Sequence, residues 1–375
     1  MSLTEFTFGF KRFVSYCVIA TILYMVGKVS VNAGIDYYKA KHPIPPPPPE
    51  ARFSKLELPN ITALKLADGS SPYYILDTKT GKFPSFPERL PIFPLKTQRT
   101  TILSEKRARD VAIFIGFKME PNKLSTTEFV WDTGQKKVSA NTALGLFSLS
   151  FDLFNPPSDM TLAKALSFDE AKRSALAFLN ANGLSHPDIA GADVETTPLV
   201  IKDGLFRVEH DVTKASLTRV NFTRNTAISA EKYPVVTVRR KFPLISLIVG
   251  RDPLDKTFVP ALTYTYWEID TEGGSEYALS PINSVWEKVK SGGGLLTTLY
   301  RKNSDEYEIY QKAAIKRFAV KDVSLVYLET ANYSPYLLPY YIFSGEAEYD
   351  NGEIGFFDIY HTALTDSDII YKVNE

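Results

Sequence analysis

Apolar positions recur at helical spacing three times along the chain. After Ser104, residues Ala108, Val111, Ala112 and Ile115 fall at i, i+3, i+4 and i+7, which predicts a helix with one buried stripe. A second helix is predicted from Ser167 to Gly183. Ser167-Phe168-Asp169-Glu170 reads as a capping box, Ala171, Ala175, Phe178 and Leu179 form the stripe, and Asn182-Gly183 ends it. A third opens at Ser280-Pro281, buries Ile282, Val285, Trp286 and Val289, and stops at Gly292–Gly294.

Elsewhere the period shortens to two. Leu205–Val212 alternates with Phe206, Val208, His210 and Val212 on one face, and Asp203-Gly204 pairs it as a hairpin with Leu199–Lys202. Phe129–Asp132 and Lys137–Ala140 flank Thr133-Gly134 in the same way, and Leu144–Phe151, Val235–Arg240, Leu244–Val249 and Ala261–Asp270 read as further strands. Val323–Glu329 and Tyr340–Tyr349 are expected to pair across Tyr333-Ser334-Pro335, with a last strand in Gly352–Tyr360. Hairpins imply antiparallel rather than wound parallel sheet. The resulting expectation is an α+β body, its antiparallel sheets carrying helices packed on one face. The two helix starts near 104 and 167 suggest a helix-plus-sheet unit used twice.

One segment obeys neither period. Phe13–Gly27 is apolar with small polar interruptions, preceded by Lys11 and Arg12 and followed by Lys28. If Lys28 snorkels, the span extends to Ile35 and predicts a single N-terminal transmembrane helix. Val31-Asn32-Ala33 also fits a signal-peptide cleavage site, and either reading exports the remainder of the chain. Pro45–Pro49 then forms a semi-rigid spacer. The expected organisation is an anchor over 1–35, a proline-rich linker over 36–52, a first α+β module over 53–155 and a larger α+β region over 156–375. Asn155-Pro156-Pro157-Ser158 marks the internal boundary.

Charge narrows the partners. Lys+Arg and Asp+Glu both number 43, so the chain lacks the basic excess that nucleic acid demands. The lone Cys17 excludes an intrachain disulfide and a cysteine-based zinc site.

Catalytic motifs do not assemble. Ser229-Ala230-Glu231-Lys232 has S-x-x-K spacing, but the accompanying S-x-N at Ser139 precedes it, against the order such enzymes use. The four histidines show no metal spacing. Among them His210 is the candidate base, because its apolar neighbours would tune it, although a satisfied core histidine explains it as well. Glu346, Glu348, Asp350 and Glu353 form a candidate acid cluster, which a solvated sheet edge also explains. Tyr333, Tyr336, Tyr340 and Tyr341 form a candidate partner-contact surface, each offering apolar area and a hydroxyl.

The helix Ser167–Gly183 followed by paired strands, on an anchored exported chain, resembles PepSY-like modules and the membrane-anchored extracytoplasmic regulators of bacterial cell-wall sensor kinases. The run Leu325, Tyr327, Leu337, Pro339, Tyr341, Phe343, Gly345 is similar to the C-terminal strand pair of such proteins. Residues 53–100 and 219–270 carry no part of the likeness. The resemblance implies repeated helix-plus-sheet units acting by protein–protein contact. The expected function is therefore a non-catalytic, single-pass, extracytoplasmic interaction or regulatory module of the cell envelope, with no cofactor. Its partners are the lipid bilayer, through the N-terminal helix, and an envelope protein. An envelope-polymer hydrolase built on the acid cluster or His210, and a structural component of an envelope complex, are the alternatives.

Overall fold

The computed structural model describes residues 51–97, 102–156, 160, 163–224, 233–302, 304 and 310–370, together with positions 21, 24–25, 27–28 and 31. The chain divides into two units, Met1–Pro48 and Pro49–Glu375. The expected anchor and proline linker lie almost wholly outside the described residues. Among the described residues no helix is long and apolar enough to cross a membrane.

The second unit opens with β1 (Leu56–Glu57), β2 (Tyr73–Leu76) and β3 (Arg89–Lys96). Helix α1 (Ile102–Phe114) leads into a meander of β4 (Asn122–Lys123), β5 (Glu128–Asp132), β6 (Lys136–Asn141) and β7 (Leu146–Phe151). Helices α2 (Phe168–Ala181) and α3 (Pro187–Ala190) precede β8 (Asp193–Lys202), β9 (Leu205–Val208) and β10 (Leu217–Thr223). Next come β11 (Val235–Thr237), β12 (Ile245–Arg251), β13 (Thr257–Tyr264), β14 (Glu268–Ile269) and β15 (Ser275–Ala278). The C-terminal part is α4 (Ile282–Lys288), β16 (Leu295–Arg301), β17 (Ile315–Glu329), β18 (Tyr336–Tyr349), β19 (Ile354–Thr362) and β20 (Ile369–Ile370).

Two nine-stranded sheets result. The first runs β4-β5-β6-β7-β13-β12-β10-β8-β9 and is antiparallel throughout. It passes through the region of Asn155: β7 pairs with β13, Leu149 opposite Leu262. One face carries Phe129, Trp131, Leu149, Val220, Leu247 and Leu262, which pack against Ala108 and Ala112 of α1 and Ala171, Ala175 and Leu179 of α2. Small residues on the helices let both lie close to the sheet. At the start of α2 the Ser167 amide (3.2 Å) and hydroxyl (2.7 Å) both donate to the Glu170 carboxylate, while Arg251 holds its other oxygen at 2.9 Å. Those bonds, the Ser167 hydroxyl first and Arg251 next, pull Glu170 down to about 2.

The second sheet is built on β17 and β18, of 15 and 14 residues. Its central order is β11-β17-β18-β19-β16. β2 and β11 add parallel to opposite stretches of β17, and β3 joins β18, β14 and β15. Two bulges in β17, between Ile315 and Arg317 and between Val320 and Asp322, curve the long pair. At the second of these only glycine fits opposite: a Cβ on Gly345 would lie 1.9 Å from the Ala319 carbonyl oxygen. Helix α4 closes this core, Trp286 packing on Phe343 (5.5 Å) and edge-on to Tyr74 (6.2 Å).

The expected α+β fold of repeated PepSY-like helix-plus-sheet units is overturned. Among the described residues strands far outnumber helices, and large antiparallel sheets form most of the body. The physical reasons are local. The third predicted helix stops at the expected glycines, in one wide turn at Val289–Gly293 where Gly292 takes φ 89°, and α4 is only seven residues long. Residues 53–100, which lie in the expected first module but in which no strand was expected, contribute three strands, although Pro91 and Pro94 sit inside β3. Ala261–Asp270, expected as one strand, breaks after Tyr264 so that β13 ends in the first sheet and β14 enters the second.

Candidate binding cleft and buried charge cluster

Between β11 and β12 the chain makes a tight turn bearing Arg239, Arg240, Lys241 and Phe242. The Thr237 hydroxyl ties it, donating to the carbonyls of Arg239 (2.8 Å) and Phe242 (3.2 Å), and the Phe242 amide closes it on Arg239 (2.8 Å). Each sheet then grips one side of the turn. Tyr360 of β19 donates to the Thr237 carbonyl at 3.1 Å, and Asn221 of β10 donates to the Lys241 carbonyl at 3.2 Å.

Under this turn the second sheet leaves an open cleft of about 420 Å³. Its floor is aromatic, with Tyr300 and Phe356 at 5.5 Å. Arg240 reaches down to Asp358 (2.9 Å) and to Ser344 (2.5 Å), and Ser344 in turn donates to the same carboxylate oxygen. Ser344 and Asp358 are register partners on β18 and β19, so strand pairing alone brings them together. Burial pulls the Arg240 guanidinium downward, but Asp358 and Tyr360 together outweigh it and hold the group above its usual range. Across the cleft stand Lys321, Asp322 and Glu346, with Lys321 on Asp77 (2.5 Å) and within 3.6 Å of Glu346. The Arg239 guanidinium stacks 4.0 Å from the Phe242 ring.

A second constellation lies inside the seam between the sheets. Arg224, at the end of β10, is 7% exposed, and Glu329, at the end of β17, is 5% exposed. The Arg224 Nη2 is 3.0 Å from Glu329 Oε1 and its Nε is 3.2 Å from Asp188 Oδ2 of α3. Neither N–H points well enough at its oxygen to make a hydrogen bond, so both contacts are ion pairs. The well-formed bond is Nη1 to the Trp267 carbonyl, 2.9 Å. Tyr266 lies beneath the guanidinium at 4.6 Å, donates its hydroxyl to Asp188 at 3.1 Å, and stacks flat on His186 at 3.8 Å. Burial lowers His186 and raises Tyr266, and it raises Glu329 against the opposing pull of Arg224.

The candidates read from sequence are dispersed. Tyr340 and Tyr341, expected at a contact surface, are each 1% exposed and belong to the core. The reason is that β18 is buried on both faces in that stretch, from Leu337 to Phe343. Tyr341 bonds the Ser280 carbonyl (3.1 Å) and is pushed by burial up to about 12, whereas the Tyr340 hydroxyl has no hydrogen-bond partner among the described residues. Tyr336 is half-buried against Phe53 at 4.8 Å. Tyr333 is the outward member, 39% exposed, though its hydroxyl donates to the Leu95 carbonyl.

The acids do not converge, and the three glutamates hold cations of their own, Glu346 through Lys321. Glu348 pairs with Lys316 and Arg317 (2.9 and 2.8 Å), Glu353 with Arg301 (2.8 Å), and Asp350 occupies the turn after β18. Of the four, Glu346 lines the cleft. His210 is exposed in a turn of the first sheet, because Asp211 caps the residues after it and the alternating strand ends at Val208. His210 follows β9 of the first sheet, whereas the acids lie on β18 of the second sheet or in the turn after it. The described residues also include no group of three His, Cys, Asp or Glu side chains placed to hold a metal ion.

Sequence reasoning missed Arg224, Asp188 and Arg240. Glu329 carried one signal, a carboxylate closing the apolar run Val323–Leu328. Comparison with family models, with curated proteins and with solved structures found no match for this chain.

Proposed function

We propose that this chain is a non-catalytic interaction module, held at a membrane by its apolar N-terminal segment and exposing its β-rich body outside the cytoplasm. The supporting observation is the cleft beneath the Arg239–Phe242 turn. It combines an aromatic floor with cations on one rim and with Asp322 and Glu346 on the other, the mixed chemistry of a protein-contact patch. Several of its charged groups are already engaged, Arg240 with Asp358, Lys241 with Glu195 and Lys321 with Asp77, which suits recognition better than proton transfer. A partner segment would set acidic groups against the Arg239–Lys241 rim and apolar groups on Tyr300 and Phe356.

The test is photo-crosslinking in native membranes, with a photoreactive residue at Tyr300 or Phe356 and a control at Leu124, which lies on the other sheet. One discrete adduct from both cleft positions, lost on Asp358→Arg, is the expected result. Equal labelling from Leu124 would show that the cleft is not the contact surface. The apolar segment is tested separately: full-length chain that stays in the soluble fraction uncut would end the tether.

A further inference from the structure

Beside the charge cluster is a cavity of about 180 Å³, distinct from the cleft and independent of the function proposed for it. Its walls are mainly apolar, including Phe222, Val235, Pro243 and Ile245. Two strongly buried charged side chains, Arg224 and Glu329, line it. Arg240 lines it as well, but its guanidinium is engaged by Asp358 and Ser344.

The charges within the cluster do not balance. Arg224 is one cation set against two carboxylates, Asp188 and Glu329. Asp188 has Tyr266 as a further donor, and Arg224 spends its well-aligned bond on the Trp267 carbonyl. Among the described residues Glu329 Oε1 is left with an ion contact and no hydrogen bond, at the wall of an apolar-sided cavity. A buried carboxylate of this kind requires either a proton or a further donor.

We propose that this cavity is a binding site for a small organic cation, an alkylamine or similar group. Its ammonium would donate to Glu329 and its short apolar body would lie on Phe222, Val235 and Ile245. The volume admits a chain of about four or five heavy atoms and excludes anything drug-sized. An anion of the same size would meet Arg224 and Arg240 as well as Glu329, but both guanidiniums already have acceptors, in the Trp267 carbonyl and in Asp358, whereas Glu329 Oε1 lacks a donor; a neutral alcohol supplies one donor but no charge.

The experiment is a thermal-shift series on the full chain in matched ionic strength. It compares n-butylammonium with n-butanol and with butyrate, each up to about 50 mM, since so small a molecule binds weakly at best. Butylammonium alone should raise the melting temperature, by about 2–4 °C once its concentration is roughly tenfold above its dissociation constant. Glu329→Gln should abolish that shift. No shift with butylammonium, an equal shift with butanol or butyrate, or a shift retained in Glu329→Gln would overturn the proposal. The three-compound comparison on the unmodified chain decides even if the variant fails to fold.

Discussion

Replacing Arg224 by alanine removes the central cation from the seam between the sheets, and the cost can be bounded from the structure. Glu329, 5% exposed, loses the ion pair at 3.0 Å, and the Trp267 carbonyl loses its donor at 2.9 Å. Glu329 then either stays ionised in an apolar seam or takes up a proton. Protonating a carboxyl of ordinary pKa ~4.3 at pH 7 costs about 3.7 kcal/mol, which caps the first contribution. The stranded carbonyl adds roughly 1 kcal/mol. Part of the carboxylate cost is already present in the unmodified protein, where burial raises Glu329 despite Arg224. A loss of about 3–4 kcal/mol at pH 7 is therefore expected, in the range for breaking a buried pair. Its pH dependence has a definite sign. A carboxyl raised in the folded state contributes fully below its unfolded value, and that contribution disappears as pH rises through the folded value. The penalty in Arg224→Ala should accordingly shrink towards pH 4. Arg224→Ala with Glu329→Gln should recover most of the loss at pH 7. Urea unfolding at pH 7 and pH 4, monitored by circular dichroism and by tryptophan fluorescence, to which Trp267 at the seam contributes, measures all of this. A loss below about 1 kcal/mol, or no recovery in the double variant, would refute the idea that the cluster couples the sheets.

Tyr340→Phe should leave stability unchanged or raise it by up to ~1 kcal/mol, because its buried hydroxyl has no partner among the described residues, whereas Tyr341→Phe should cost roughly 1 kcal/mol through the bond to Ser280. Thermal melts should place Tyr340→Phe at or above the unmodified chain and Tyr341→Phe below it. Gly345→Ala should abolish folding or cost more than about 3 kcal/mol, since a Cβ there meets the Ala319 backbone oxygen; soluble yield and circular dichroism report it. Glu170, lowered to about 2, contributes stability that is present above its unfolded value and lost as pH falls through the folded one. Acid titration of Glu170→Gln should thus converge with the unmodified chain near pH 2.

How legible each feature is in the sequence depends on how locally it is encoded. The Ser167 capping box and the Ala171, Ala175, Leu179 stripe are written within one helix, and the structure places them as its start and its buried face. The β17–β18 pair is likewise written in alternation and a short turn, and Ser344 opposite Asp358 results from its continuation into β19. Of the second sheet's outer strands, β11 was legible in Val235–Arg240, but the strands of residues 53–100 were not. β3 hides behind Pro91 and Pro94, which are tolerated because its neighbours pair with separate stretches of it and leave the missing amides undemanded. Nor could alternation say that β18 is covered on both faces around Tyr340 and Tyr341. A strand of nearly continuous apolar character there is a core strand, and reading its tyrosines as a surface gave weight to their hydroxyls over their neighbours Leu338 and Ile342.

The seam was the least legible feature, for a reason that bears on function. Asp188, Arg224 and Glu329 come from a four-residue helix and the ends of two strands in different sheets, so no local pattern relates them. Only the docking of one sheet on the other makes them a cluster. The same docking clamps the Arg239–Phe242 turn, through Asn221 on one side and Tyr360 on the other. Cleft and cavity therefore share a wall, the segment from Val235 to Ile245, with Arg240 lining both. Any change that loosens Arg224 from Glu329 should alter the cleft's upper rim before it unfolds either sheet. Hydrogen exchange at the amides of Arg239–Phe242 should rise in Arg224→Ala while the β17–β18 amides stay protected. If both regions lose protection together, the seam is part of one cooperative core and the rim has no independent coupling to it.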